Sequence, residues 1–222
     1  MVFVEREVKN IYIWWYKWIP WENTLAYFPF KDDLLDHSWN GVALRYTQYL
    51  TQQTLWYKWQ FSQGSTWNSI WAWFDDWNAK FISIWYNIIS SSWNSWILSL
   101  NKYWCVWYNS THWTTSISWK IAIFSNSSWA VWATADWMTF NAWHHLTMWY
   151  DGSKVLISKD GVQTTLYNWT GYNFGDTINI VWWWNNTNMN ALLSEFICES
   201  ECWNAAEISN YYNSTKANYW IS

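Results

Sequence analysis

Runs of alternating apolar and polar residues, separated by polar turns, occur along most of the chain. The clearest pair spans 146–150 and 155–158, with Asp151-Gly152 between the runs and Asp160-Gly161 after the second. A period of two residues is that of a β-strand, which directs alternate side chains to opposite faces. Asp-Gly between such runs favours a hairpin, because the turn needs positive φ and Gly adopts it without steric cost. The pattern therefore predicts a hairpin here, with one set of side chains directed inward.

Further strand-like runs are bounded by polar turns. They lie at 81–89, 96–100, 120–124, 177–180 and 193–197. Short strands at this spacing are typical of β-sandwiches, so the pattern predicts an all-β, antiparallel sandwich.

A helix signature occurs near the end of the chain. Asn204 is suited to be an N-cap, Glu207 is its reciprocal partner three residues later, and Ile208 is expected to point back to the core. Three tyrosines follow whose rings are apolar and whose tips are polar, which suits them to lying across a sandwich: Tyr211, Tyr212 and Tyr219. We therefore expect one short C-terminal helix.

Length and charge narrow the class of protein. A chain of 222 residues fits one sandwich domain. The net charge of −4, with 13% charged residues, gives no footprint for nucleic acid. No apolar run reaches the roughly 18 residues of a membrane-spanning helix, and residues 1–9 lack the pattern of a secretory signal. We therefore expect a protein that stays inside the cell, leaves by another route such as a virus particle, or is a fragment of a longer chain.

The composition has one anomaly, 29 Trp residues against 6 Gly. Several Trp residues stand where a turn is expected, such as Trp39 before Asn40-Gly41 and the run 182–184 before two Asn residues. Trp favours strands, whereas turns need Gly, Asn or Asp. A domain of this size cannot bury 29 indoles, and exposing most of them creates large apolar patches.

We interpret many of these Trp residues as glycines of the native protein. Some bacterial lineages, and the viruses that infect them, read the codon UGA as Gly, whereas another code reads it as Trp. Gly at position 39 and at 182–184 restores glycine-rich turns. The alternative is a genuinely Trp-rich lectin or adhesin.

The hairpin region resembles the central hairpin of laminin-G-like jelly-roll domains of the concanavalin A-like lectin/glucanase superfamily. The resemblance rests on residues that occur together in order: Trp143, His144, His145, then Tyr150, Asp151, Gly152, then Asp160 and Gly161. It covers roughly residues 23–222 and implies a jelly-roll sandwich there, with residues 1–22 as an N-terminal arm or extra edge strand. Trp85 and Trp143 match family positions that usually carry Trp, and both are expected in the core.

The resemblance also extends to the turn that contains Asp36 and Asn40. In this superfamily such a turn reads Asp-x-Ser-Gly-Asn-Gly, and this chain departs from it only at Trp39. Asp36 and Asn40 either cap their own turn or, together with Glu195 of the closing strand, hold a structural Ca²⁺, which prefers oxygen ligands. The family often has Asp-Glu at the closing strand, and Ser194 here replaces the Asp.

Catalytic motifs are missing from the sequence. The Glu-x-Asp-x-x-Glu motif of the superfamily's glucanases does not occur. The neighbours Asp75 and Asp76 point to opposite faces if they lie on a strand, whereas retaining glycosidases need two carboxyls about 5–5.5 Å apart. His144 and His145 are likewise neighbours that cannot ligate one ion from a regular strand, and the resemblance implies a packing role for both.

These observations predict a non-catalytic binding or structural module without a certain cofactor. The expected partners are a carbohydrate or cell-surface glycan and other virion or surface proteins, with adhesion or a phage structural role as the context. The alternatives are a diverged glycoside hydrolase that uses acids such as Asp75, Asp76 and Glu195, or an intracellular scaffold without a ligand.

The mass of the native protein tests the Trp interpretation. We expect an intact mass below 27.1 kDa by whole multiples of the difference between a Trp and a Gly residue. Peptide mass spectrometry then locates the replaced positions, with Trp85 and Trp143 retained as tryptophan. Trp at position 39 and at 182–184 would contradict the interpretation.

Overall fold

The computed structural model contains two antiparallel β-sheets and a C-terminal helix. The structure describes residues 23–29, 35–38, 40–42, 44–46, 50–53, 58–62, 70–73, 80–91, 94–100, 104–109, 120–124, 131–137, 139–150, 154–168, 177–181 and 189–219. The predicted arm at 1–22 lies outside these residues.

The strands are short, apart from two of eleven residues. In chain order they are β1 (Thr24–Phe28), β2 (Leu44–Tyr46), β3 (Leu50–Gln53), β4 (Lys58–Ser62), β5 (Ile70–Trp73), β6 (Phe81–Ser91), β7 (Asn94–Leu100), β8 (Trp104–Asn109), β9 (Lys120–Phe124), β10 (Val131–Trp137), β11 (Trp143–Tyr150), β12 (Lys154–Lys159), β13 (Val162–Asn168), β14 (Thr177–Val181) and β15 (Met189–Glu199).

These strands form two sheets that together make the predicted antiparallel sandwich. In the first sheet the order is β13-β12-β11-β6-β15-β4-β3, with β1 also paired to β15. In the second the order is β10-β9-β8-β7-β14-β5-β2. The fold class predicted from the sequence is confirmed.

Strand β15 changes its neighbour partway along its length. Its first half pairs with β4 and its second half with β1, while β6 runs along the other side. The register with β6 shifts between Ser194 and Ile197, and Glu195 within this interval has a φ of 50°. This is the geometry of a β-bulge, which bends a strand and redirects a side chain.

Both faces of the first sheet are buried at its centre. Leu146 and Met148 on β11 are fully buried, as the alternation predicts, but Thr147 and Trp149 on the other face are buried as well. The prediction of a single inward set was therefore wrong for this strand. The reason is the C-terminal helix, which covers the second face.

The turn at Asp160-Gly161 has the predicted left-handed geometry. The φ angles are 53° at Asp160 and 77° at Gly161, and positive φ at both central residues is the mark of a type I′ hairpin turn. The turn joins β12 to β13, one hairpin later than the β11–β12 connection at Asp151-Gly152, which lies outside the described residues.

Helix α1 (Ala205–Thr215) begins at the capping box expected from the sequence. The Asn204 side chain accepts hydrogen bonds from the backbone N–H groups of Ala206 and Glu207, and the Glu207 carboxylate accepts one from the Asn204 N–H. Ile208 is buried, as predicted. A 3-10 turn at Lys216–Tyr219 continues the segment across the sheet. Among the described residues, no helix has the length and apolar character that crossing a membrane requires.

Replacement of Gly161 by Ala is expected to lower the free energy of unfolding by about 2–4 kcal/mol. A Cβ at this position would lie 2.9 Å from Tyr212 Cδ1 and 3.0 Å from Tyr212 Cβ, so close packing adds to the backbone strain of an L-residue at positive φ. Chemical denaturation measures the loss.

Gly41→Ala is the matched control. Gly41 has a φ of 61°, but a Cβ at this position would meet no atom of the described residues within 4 Å, so strain alone predicts a loss of about 1–2 kcal/mol. Equal losses in the two variants would contradict a packing role for Gly161.

Candidate functional site

One face of the first sheet, which we call the helix-facing face, carries four of the residues singled out by the sequence: Trp85, Trp143, His145 and Glu195. It consists of the side chains of β1, β6, β11, β12 and β15 that lie under Trp203, α1 and the 3-10 turn. Four rows of directly opposed residues cross its centre on β6 and β11: Phe81 with Trp149, Ser83 with Thr147, Trp85 with His145, and Asn87 with Trp143.

Trp85 and Trp143 lie in an aromatic cluster at one end of this face. The Trp85 ring stacks on Tyr219 at a centroid distance of 4.1 Å and on Tyr212 at 5.6 Å. Trp143 packs on the same Tyr219 ring at 4.9 Å. Trp85 is 0% exposed and Trp143 6%, so both are core aromatics.

His144 links its strand to the Asp160 turn. Its Nε2 accepts a hydrogen bond from the Thr139 N–H at 3.3 Å, which leaves the proton on Nδ1, and Nδ1 lies 2.8 Å from Asp160 Oδ2. Asp160 Oδ1 accepts a second bond from the His145 N–H at 2.9 Å, and the Asp160 N–H donates to the His145 carbonyl at 2.8 Å. The histidine pair and the turn therefore form one hydrogen-bonded unit.

His145 points the other way and is fully buried under the helix. Its Nε2 lies 2.6 Å from Ser83 Oγ, and its ring packs on Tyr211 at 5.3 Å and on Trp85 at 4.9 Å. Burial lowers the pKa of His145 to about 3, although the nearby Asp160 opposes this shift. The imidazole is therefore neutral at physiological pH.

The bulge in β15 directs the Glu195 carboxylate to the helix. The Tyr211 hydroxyl donates a 2.7 Å hydrogen bond to Glu195 Oε2. Burial raises the pKa of Tyr211 well above its ordinary value, and the Glu195 charge raises it further, so the phenol keeps the proton that it donates. The neighbouring Ser194 hydroxyl accepts a 2.9 Å bond from Tyr219.

A second buried carboxylate, Glu199, anchors the residue that leads into the helix. The Trp203 indole N–H donates to Glu199 Oε2, and the Thr24 hydroxyl donates to Oε1 at 3.3 Å. Trp203 also stacks on Phe81 at 4.5 Å. Sequence reasoning missed Glu199, Trp203 and Ser83; their only sequence signal was a place on a strand or directly before the N-cap.

Asp36 is surrounded by hydrogen-bond donors in its turn. Oδ1 accepts bonds from the N–H groups of Tyr27 at 2.8 Å and Ser38 at 2.9 Å. Oδ2 accepts bonds from the Ser38 hydroxyl at 2.6 Å and from the Val42 N–H at 2.7 Å. Asn40 donates from Nδ2 to the Thr24 carbonyl at 2.8 Å. These contacts favour the capping interpretation of the turn.

Calcium binding by Asp36, Asn40 and Glu195 stays a prediction. The Asp36 oxygens are engaged by four donors, and Glu195 is bonded to Tyr211. In the part of the chain that the structure describes, no group of three or more His, Cys, Asp or Glu residues is arranged to hold a metal ion. Among the described residues, the two carboxylates of the predicted set are thus engaged in hydrogen bonds within the protein.

The remaining predicted residues fall outside what the structure describes. They are Asp75, Asp76, Trp39, Asp151, Gly152 and the side chain of Tyr150.

The chemistry of the helix-facing face is that of a closed interior. Glu195 is 4% exposed and Glu199 1% exposed, and each is bonded to a donor from the C-terminal segment. The Ser83–His145 pair is fully buried. A hydrolase needs its acids open to substrate and water, which these described groups are not.

No protein-family model and no curated protein matches the chain. Solved structures match over 86% of it. The binding domain of botulinum neurotoxin DC in complex with rat synaptotagmin II has a TM-score of 0.68 at 14% identity, with 52% of that chain covered. A botulinum neurotoxin type C structure, from work on cell entry dependent on two ganglioside molecules, has the same TM-score and identity, with 51% covered. The serotype D binding domain has a TM-score of 0.65 at 13% identity, also with 51% covered.

This likeness concerns the fold. The chain spans about half the length of these solved chains, and it shares with them a β-rich architecture at TM-scores of 0.65 to 0.68.

The His145 environment predicts a loss of stability in acid. Below pH 6.5, the ordinary value for His, the unfolded chain binds a proton that the folded chain refuses until about pH 3, so stability falls as the pH drops through that window. At pH 5 the expected contribution is about 2 kcal/mol relative to pH 7. Denaturant unfolding at several pH values measures it.

His145→Gln is expected to flatten this part of the pH dependence, since the variant has no imidazole at that position. His144→Gln is the matched control because it leaves His145 in place and should retain the acid loss. The same slope in His145→Gln and the wild type would show that other groups produce it.

Proposed function

We propose that this chain is a non-catalytic binding module of a virion or cell surface, with a carbohydrate or cell-surface glycan as its ligand. The observation that carries the proposal is the fold, which matches domains whose role is to bind. Those toxin domains come from studies of complexes with synaptotagmin II and of interaction with gangliosides. A module that binds a surface component is the function that this likeness supports best.

The site geometry supports the non-catalytic part of the proposal. The described buried carboxylates, Glu195 and Glu199, hold the C-terminal segment in place through Tyr211 and Trp203. Their burial argues against the glycoside hydrolase alternative as far as Glu195 is concerned.

The helix-facing face is not the expected glycan surface. Sugars are commonly stacked on exposed aromatic rings, and Trp85, Trp143 and Trp149 are at most 6% exposed. The proposal therefore assigns ligand binding to another surface of the module.

The identity of the Trp residues bears on any ligand search. The side chains of four are described, at positions 85, 143, 149 and 203, and all four are buried in aromatic or apolar contacts. We propose that these are true tryptophans and that glycines replace many of the others. Ligand screening accordingly needs protein with the native residue at each of these positions.

A glycan array probed with purified native-sequence protein tests the function. We expect saturable binding to one or a few related glycans, with Kd values between about 1 μM and 1 mM, or roughly 8 to 4 kcal/mol of binding free energy. No release of reducing sugar is expected from the bound glycans. Absence of binding to any glycan, with the protein folded by circular dichroism, would contradict the carbohydrate part of the proposal.

The matched variants for catalysis are Asp75→Asn, Asp76→Asn and Glu195→Gln. A glycan hydrolysis that one of these substitutions abolishes would establish the hydrolase instead. Mass spectrometry of purified virus particles and of surface fractions tests the location of the protein. If the protein is found in neither, the proposed location is wrong, but the result of the glycan array still stands.

A further inference from the structure

The helix-facing face is unusual in its polarity. The described residues include eight buried polar or charged side chains, and every one of them lies on this face. They are Thr24, Ser83, His145, Thr147, Ser158, Ser194, Glu195 and Glu199. The opposite face of the same strands carries apolar residues such as Ile82, Ile84 and Met148. If the helix only covered the sheet, both faces of the sheet would be expected to carry apolar residues.

Some polar atoms of this face have no hydrogen-bond partner within the described structure. Five such buried atoms occur: Trp85 Nε1, Asn87 Oδ1, His145 Nδ1, Thr147 Oγ1 and Ser158 Oγ. A buried polar atom without a partner is costly, and native proteins contain few of them. Their concentration on one face therefore requires a local explanation.

Three of the five atoms belong to residues that are neighbours by strand register. Thr147 stands directly opposite Ser158 on β12 and directly opposite Ser83 on β6. Opposed residues have Cβ atoms about 4.5–5.5 Å apart. His145 follows on the same face of β11, two residues from Thr147, or about 7 Å along the strand. We call Ser83, His145, Thr147 and Ser158 the polar row.

The polar row is closed off from solvent. All four of its residues are 0% exposed. On one side lies an apolar row in which Phe81 and Trp149 belong to a cluster with Ile208 of the helix. On the other side the Tyr211 and Tyr212 rings lie 5.3 Å and 6.2 Å from the His145 ring. Whatever satisfies these atoms must therefore be small.

The polar row carries no net charge. It contains three hydroxyls and an imidazole that burial keeps unprotonated, which disfavours an anion, because an anion stabilises the protonated ring. The nearby carboxylates of Glu195 and Glu199 are bonded to Tyr211 and Trp203. In the described residues no acidic cluster suits a cation. The ligand that fits the polar row is therefore a small neutral molecule that both donates and accepts hydrogen bonds.

We propose that the polar row binds at least one ordered water molecule, which bridges His145 Nδ1, Thr147 Oγ1 and Ser158 Oγ. A water reaches partners at about 2.8 Å on each side, so it joins polar atoms up to about 5.6 Å apart, and the opposed side chains of Thr147 and Ser158 lie within that reach. It also meets the requirement of two to four polar partners for a buried water. The water joins β11 to β12 beneath the helix. Its site is separate from the proposed binding function and does not depend on it.

Thr147→Val tests the proposal because it lowers stability if the polar row holds a water and raises stability if it does not. With a bridging water, the variant loses a hydrogen bond, and the unfolding equilibrium constant rises about threefold to tenfold. Without a water, the variant removes an unsatisfied hydroxyl and the protein becomes more stable. Ser158→Ala is expected to act in the same direction as Thr147→Val.

Oxygen-17 magnetic relaxation dispersion on the wild-type protein counts its long-lived waters directly. We expect Thr147→Val and Ser158→Ala each to lower that count. Thr215→Val is the matched control, since its hydroxyl donates to the Tyr211 carbonyl at 2.7 Å on the helix and the count should not change. A stabilised Thr147→Val, or an unchanged count in both row variants, would overturn the proposal.

Discussion

The docking of the C-terminal segment on the first sheet is the contact on which the rest of this structure depends. Tyr211, Tyr219 and Trp203 each contribute a ring to the buried clusters and a donor group to a sheet residue. Without that segment, fully buried polar groups such as His145 and Glu199 would face solvent beside exposed indoles. The helix is therefore part of the core and is not an appendage.

Much of this architecture was readable from the sequence because its determinants are local. The capping box at Asn204 needs two side chains three residues apart, and the turn at Asp160-Gly161 needs one residue pair that accepts positive φ. The alternation along the strands indicated the all-β class in the same way. Each of these signals is complete within a few residues.

The features that the sequence did not reveal come from distant partners. The sequence pattern places Thr147 on the polar, exposed face of its strand. Thr147 is buried only because a helix that begins at Ala205 covers that face. Glu199 and Thr24 are 175 residues apart in sequence yet share a hydrogen bond. The direction of the Glu195 side chain depends on a bulge, and the bulge is seen only in the pairing of β15 with β6. Burial on both faces and the change of neighbour along β15 are tertiary facts without a local signature.

The place of β15 in the sheet has a consequence for synthesis and folding. It is the last strand along the described chain, yet it lies in the middle of its sheet, between β6 on one side and β4 and β1 on the other. While the chain is being made, the edge of β6 that β15 will occupy stays unpaired until Met189–Glu199 has left the ribosome. The first sheet is therefore completed only after its other described strands have been made, and until then the unpaired edge of β6 is open to pairing with another copy of the nascent chain.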